Sequence, residues 1–184
     1  PVEFMSLRGI RTKYGEAGIT RFDVGRDDVA HFSDDTQMTL FTATGLLEGS
    51  TRVKMAGDND LRAWEKAVTR HYLDWKNTQV ITKDPKAEHP SSWLYALPEL
   101  HERRAPGATC MNALAALESG QKVNNNSKGC GGVMRVAPVA LCRDLMDVPA
   151  SFVTTLGGTV AEVTHQHPLG FMPAALMTDL LRRV

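Results

Sequence analysis

The chain has 184 residues, 42% hydrophobic and 23% charged, and its 21 basic and 21 acidic side chains give a formal net charge of zero. That length can bury the core of one domain, and residues 1–184 are read as a single one. The neutral balance argues against nucleic acid and against an anionic membrane surface as partners, and no apolar run reaches the roughly 20 residues that span a bilayer.

The three cysteines, Cys110, Cys130 and Cys142, are odd in number and show no CxxC pairing. Neither a disulfide framework nor a zinc site is expected, and a reducing cytoplasm is the expected location. The chain opens at Pro1 and closes at Val184 inside an apolar helical pattern, so both ends are read as truncations.

Alternating strand patterns are lacking, and the expected fold class is all-α. The first thirty residues carry Gly9, Gly15, Gly18 and Gly25 and read as an irregular loop. A helix is predicted from Ser33-Asp34-Asp35 to about Glu48, with Leu40, Ala43 and Leu47 on one face and Gly49 as its stop. A second runs from about Asp58 to Trp75. Its buried stripe is Leu61, Trp64, Val68, Tyr72 and Trp75, and its cap is Asp58 or Asn59.

Residues 76–104 form a proline-punctuated connection with one short helix near Trp93–Leu97. A third helix is predicted over Thr109–Ser119, ended by Gly120 in the left-handed conformation. Residues 124–132 read as a loop leading into an apolar helix from Val133 to Leu145, with Pro138 early in it. Two more helices follow Pro149 and Pro168. Trp64, Trp75 and Trp93 are read as core residues, and His71 and His101 as structural.

Three stretches carry candidate chemistry. Ser33, Asp34 and Asp35 crowd oxygen side chains at a helix start. Residue type alone leaves two readings: capping of the helix, or ligation of a hard cation such as Mg²⁺ or Mn²⁺. The glycine-rich run from Ser127 through Gly129, Cys130, Gly131 and Gly132 to Val133, Met134 and Arg135 allows close backbone approach to an anion. It equally allows close helix packing. Arg135 is read as a phosphate contact or the partner of a core acid. His165, in Thr164-His165-Gln166-His167-Pro168, is a ligand contact or a helix cap, and Glu3 is by composition an ordinary surface acid.

Taken together and in order, several stretches resemble the ADP-ribosylglycohydrolase family. They are Pro1-Val2-Glu3-Phe4, Phe32-Ser33-Asp34-Asp35-Thr36-Gln37-Met38, Arg103-Arg104-Ala105-Pro106-Gly107, Asn125 through Arg135, and Thr164 through Pro168. The resemblance implies an orthogonal all-α bundle with a two-metal Mg²⁺ or Mn²⁺ site. It implies Ser33, Asp34 and Asp35 as metal ligands, and Glu3 and Asp35 as catalytic carboxylates. Ser127, Gly129, Cys130, Gly131, Gly132, Val133, Met134 and His165 would bind the substrate. That substrate would be ADP-ribose joined to a protein side chain, arginine foremost.

Two parts of the family pattern have no counterpart in this sequence. One is the Gly-Asp-rich segment before the position of Glu3, and the other is a later Asp-rich motif that completes the metal site. Ala108 also stands where a polar residue is expected. A non-catalytic ADP-ribose-binding module and a helical phosphohydrolase are the competing readings.

Overall fold

The computed structural model describes residues 2, 5–57, 59–80, 90–145 and 147–184, which fall into two units, Pro1–Phe32 and Ser33–Val184. Seven α-helices and no strand occur among the described residues.

In the first unit a helix, α1 (Leu7–Tyr14), stands where the glycines suggested only loop. Ser6 is extended, and its hydroxyl accepts the amide of Gly9 at 3.1 Å. Gly15, at φ 88°, turns the chain out of the helix and returns its amide to Arg11. Gly9 is tolerated inside the helix at a cost of about 1 kcal/mol. Tyr14 Oη and Lys13 Nζ both donate to Asp23, at 2.6 and 3.1 Å, and tie the helix to the segment after it.

The second unit holds α2 (Asp34–Ala56), α3 (Leu61–Thr78), α4 (Ala108–Glu118), α5 (Ala137–Leu141), α6 (Ala150–Glu162) and α7 (Pro168–Arg182). α2 does not stop at Gly49. It runs to Gly57, whose φ of 69° makes the left-handed stop. Gly45 and Gly49 instead form a smooth face for α3. A Cβ on Gly45 would lie 2.7 Å from Val68 Cα, and one on Gly49 would lie 2.9 Å from the Trp64 ring. The α3 stripe packs as its spacing predicts, with Trp64, Val68, Tyr72 and Trp75 buried and Leu61 at its edge. Asp60, one residue beyond the expected caps, accepts the Arg62 amide.

Polar residues are stitched into this pair. His71 places Nδ1 2.8 Å from Thr44 Oγ1 and Nε2 2.9 Å from Glu48, which also accepts from Arg52 and Arg70. Burial holds His71 below the usual imidazole range, against the pull of Glu48. His101 Nε2 lies 2.6 Å from the Tyr95 carbonyl. Both histidines are structural, as expected. Trp93 is not a core residue: it is 67% exposed, and its neighbour Leu94 fills the core from the same short 3₁₀ turn. No helical stripe extends to this turn, so the spacing argument did not apply to it.

The predicted helix from Val133 to Leu145 is three pieces: a 3₁₀ turn over Cys130–Arg135, the five-residue α5, and a second 3₁₀ turn over Cys142–Leu145. Pro138 is the reason. In a continuous α-helix its ring would clash with the Met134 carbonyl and leave that carbonyl without its donor. The break makes Pro138 the second residue of α5, where no donor is needed.

Gly45→Ala is expected to destabilise the protein by about 1–3 kcal/mol through overpacking against the α3 backbone, although Ala is the better helix former by about 1 kcal/mol. A thermal melt checks this. The midpoint should drop by roughly 2–4 °C per kcal/mol, and an unchanged midpoint would contradict the tight α2–α3 crossing.

Candidate functional site

Ser33 occupies the N-cap position of α2 with extended backbone, yet its hydroxyl makes no cap bond. It donates instead to Asp35 Oδ2 at 2.5 Å. Asp35 is exposed and Asp34 is buried. The Asp34 amide donates to the Arg104 carbonyl at 2.9 Å, and its carboxylate accepts the Gly107 amide at 3.1 Å. Burial pushes the Asp34 carboxyl above the ordinary carboxylate range, the Gly107 amide opposes this, and the Asp35 charge adds to the rise. The charged form of Asp34 is therefore disfavoured by its surroundings, and a nearby cation would favour it.

The segment that holds Asp34 is itself held by α2. Gln37, fully buried, donates to the Glu102 carbonyl at 3.1 Å and accepts the Trp75 indole N–H at 3.1 Å. Ala105 sits at φ 53°, a region L-residues rarely adopt, and this bend precedes Pro106 and Gly107. Sequence reading did not connect Gly107 with the Asp pair. The only signal was the Arg103-Arg104-Ala105-Pro106-Gly107 stretch itself.

The glycine-rich run packs closely. None of Gly129, Gly131 and Gly132 has positive φ, so their use lies in close approach. A Cβ on Gly131 would meet the His165 ring at 2.8 Å. One on Gly132 would meet Ala161 and the Gly170 carbonyl, both at 2.9 Å. The expected α-helix start at Val133 is lacking, so no helix dipole faces an anion here. Val133 and Met134 pack against the core. Cys130 is exposed. Ser127 Oγ accepts the Gly129 amide at 3.4 Å and lies 3.2 Å from Thr109 Oγ1. Asn125, whose role the sequence does not show, pins the run to the 164–166 segment: its side chain donates to the Thr164 carbonyl at 2.9 Å and accepts the Gln166 amide at 3.4 Å.

Among the described residues Arg135 meets no core acid, and it does not reach the surface. It is fully buried and donates to the Val160 carbonyl at 3.1 Å and to Thr164 Oγ1 at 2.7 Å. His165 is 2% exposed, and its Nδ1 lies 2.9 Å from Thr164 Oγ1. Burial, reinforced by the Arg135 charge, lowers the His165 pKa to about 4, so the ring is neutral at pH 7.

One hydroxyl joins the two halves. Thr39 Oγ1, one turn after Asp35, lies 2.7 Å from the Asp35 carbonyl and 3.2 Å from the Met134 carbonyl. The Asp-bearing end of α2 thus abuts the glycine-rich run that cradles His165. Glu3 lies outside the described residues. Among the described residues no three His, Cys, Asp or Glu side chains gather into a metal cluster. An open groove of about 810 Å³ lies elsewhere, lined by Glu65, Lys122, Glu162 and Gln166 among others, and includes neither the Asp pair nor His165.

The family model for ADP-ribosylglycohydrolase matches residues 1–184. The chain belongs to the ADP-ribosylglycohydrolase family. Its all-α architecture agrees with that fold, and the activity that comes with family membership is hydrolysis of ADP-ribosyl bonds in general. Comparison with curated proteins and with solved structures gave no match. No described helix is long and apolar enough to cross a membrane.

The depressed His165 pKa has a measurable consequence. A group that prefers to stay neutral in the fold stabilises it fully above the ordinary imidazole value of 6.5 and loses that contribution as pH falls toward about 4. Folding stability is expected to decline across this window by up to about 1.4 kcal/mol per pH unit. Denaturant titrations of wild type and His165→Gln check it. The variant curve should be flatter between these pH values, and parallel curves would refute the assignment.

Proposed function

We propose that this glycohydrolase cleaves the glycosidic bond joining ADP-ribose to a protein side chain, with arginine the foremost acceptor, and that it does so with Mg²⁺ or Mn²⁺ held by Ser33, Asp34 and Asp35. The observation that carries the reading is the Thr39 hydroxyl shared by Asp35 and Met134, which sets the oxygen cluster beside the glycine-rich run. The donors suit a hard cation: two carboxylates and a hydroxyl on successive residues, one carboxylate buried where its charged form is disfavoured. They are too few to enclose one. Mg²⁺ commonly keeps several waters on one or two carboxylates, so the set fits a partly hydrated ion.

When bound, such an ion supplies Lewis acidity toward ribose hydroxyls and a bound water of lowered pKa. The chain's own groups do the rest. Asp35, exposed and accepting a hydrogen bond from Ser33, would take the proton of the attacking water, and Glu3 is the second candidate for that role. Asp34 holds the α2 end against Gly107 while offering its carboxylate charge. Ser127, Gly129, Cys130, Gly131, Gly132, Val133 and Met134 offer backbone to the diphosphate, and His165 closes the back of the turn. Cleavage at the anomeric carbon passes through an oxocarbenium-like state, which adjacent carboxylate charge stabilises. The free cysteines Cys110, Cys130 and Cys142 suit a reducing cytoplasm.

The test is release of free ADP-ribose from ADP-ribosylarginine protein, followed by chromatography with Mg²⁺, Mn²⁺ or chelator. Asp34→Asn with Asp35→Asn should lower kcat/KM by at least about 10²-fold. Undiminished activity in that double variant would refute the metal assignment. AMP as product would make the protein a phosphohydrolase, and tight ADP-ribose binding without turnover would make it a binding module.

A further inference from the structure

Arg135 has an environment that packing alone does not account for. It is fully buried, and among the described residues no carboxylate pairs with it. Nη1 points at two sulfurs, Met38 Sδ and Cys110 Sγ, each at 3.4 Å, and the guanidinium carbon lies 4.4 Å from the centre of the Tyr72 ring. Nε has no partner. Burying a cation without an anion is unfavourable. The side-chain oxygen that Arg135 does reach is Thr164 Oγ1, at 2.7 Å, and that same oxygen lies 2.9 Å from His165 Nδ1.

The proton count at Thr164 decides what His165 is. Arg135 can only donate, so it occupies a lone pair of Thr164 Oγ1. The single hydroxyl hydrogen then has two acceptors within reach: His165 Nδ1 at 2.9 Å and the Ala161 carbonyl at 3.5 Å. The shorter contact favours Nδ1 as acceptor, which leaves the ring proton on Nε2. The guanidinium charge behind Thr164 also favours a lone pair, not an N–H, on the Nδ1 side. On the other side the ring edge lies against the turn. A Cβ on Gly131 would be 3.0 Å from Nε2, and one on Gly129 would be 3.5 Å from it. No hydrogen bond among the described residues uses Nε2.

We propose that Arg135 and Thr164 are positioning residues that lock His165 as the Nε2–H tautomer, presenting a hydrogen-bond donor at the Gly129–Gly131 turn to an oxygen of the bound ADP-ribose. The ligand's identity rests on the function proposed above; the tautomer does not. His165 in this state orients an acceptor oxygen and does not take a proton from water, so the general base is a carboxylate. The low His165 pKa is in keeping with this.

Two-bond ¹H–¹⁵N NMR of the full chain reads the tautomer directly. At pH 7 His165 should show a protonated Nε2 and an unprotonated Nδ1. Thr164→Val removes the hydroxyl and should give a mixture of tautomers, while Thr164→Ser should restore the single form. Calorimetry should show ADP-ribose binding weakened roughly 10-fold in Thr164→Val and recovered in Thr164→Ser. A wild-type Nδ1–H tautomer would overturn the proposal, and that reading needs no variant to fold. An unchanged tautomer in Thr164→Val would also overturn it. Failure of wild type to bind ADP-ribose, with the tautomer as expected and lost in Thr164→Val, would uphold the lock and reject the proposed ligand.

Discussion

A proline cannot donate to the carbonyl four residues before it. Pro138 therefore leaves the Met134 carbonyl without a helical partner and bars a continuous helix through the glycine-rich run. Thr39 Oγ1 lies 3.2 Å from that carbonyl and shares its single hydrogen between it and the closer Asp35 carbonyl, at 2.7 Å. A carbonyl left unpaired costs about 1–3 kcal/mol, and this shared hydrogen offsets part of that. It fixes α2 against the 130–135 turn at the level of the Asp pair. Every statement about the candidate site depends on that junction.

The opposite flank is held by a different compensation. Ala105 at φ 53° carries strain of about 1–2 kcal/mol. The bend allows Gly107 to aim its amide at Asp34, and a hydrogen bond to a charged group contributes about 1.5–3 kcal/mol. The two terms nearly offset, which explains how a non-glycine residue persists there. Gln37 adds rigidity from inside, since it bridges the Trp75 indole and the 100–102 carbonyls with no exposure to water. Asp34 is thus a structural acceptor first. Its burial disfavours the charged form, which a cation beside it would favour.

Much of this was legible in the sequence, and the reasons for the failures are physical. The α3 stripe, the Gly120 stop and the oxygen cluster at the head of α2 follow from periodicity and residue type, and these are local properties. α1 is hidden in the sequence because glycine density reads as loop, although Gly15 is the residue that ends the helix. Gly49 was taken as a stop because a glycine that admits Trp64 and one that turns a chain look alike until the partner helix is known. The same ambiguity covered the glycine-rich run, where close packing against His165, Ala161 and Gly170 explains glycines that have no need of positive φ. The roles of Thr39, Gly107, Asn125 and Thr164 are not legible in the sequence because each works through a partner 39 to 95 residues away, or through a buried arginine.

The charges on the two sides of the Thr39 junction are opposite, and that asymmetry bears on what kind of ligand the site accommodates. On the α2 side lie two adjacent carboxylates. On the other lies a guanidinium with no carboxylate near it among the described residues, behind a neutral imidazole and three glycines. A low-dielectric interior carries the Arg135 field farther than water would. For the substrate proposed above, with an anionic diphosphate at one end and a sugar cationic in its transition state at the other, this polarity favours phosphates toward the glycines and the anomeric carbon toward the carboxylates. Arg135 would then act on binding without touching the ligand, as fixed positive potential. That no carboxylate pairs with it among the described residues is consistent with this reading, since a carboxylate at its side would cancel the field.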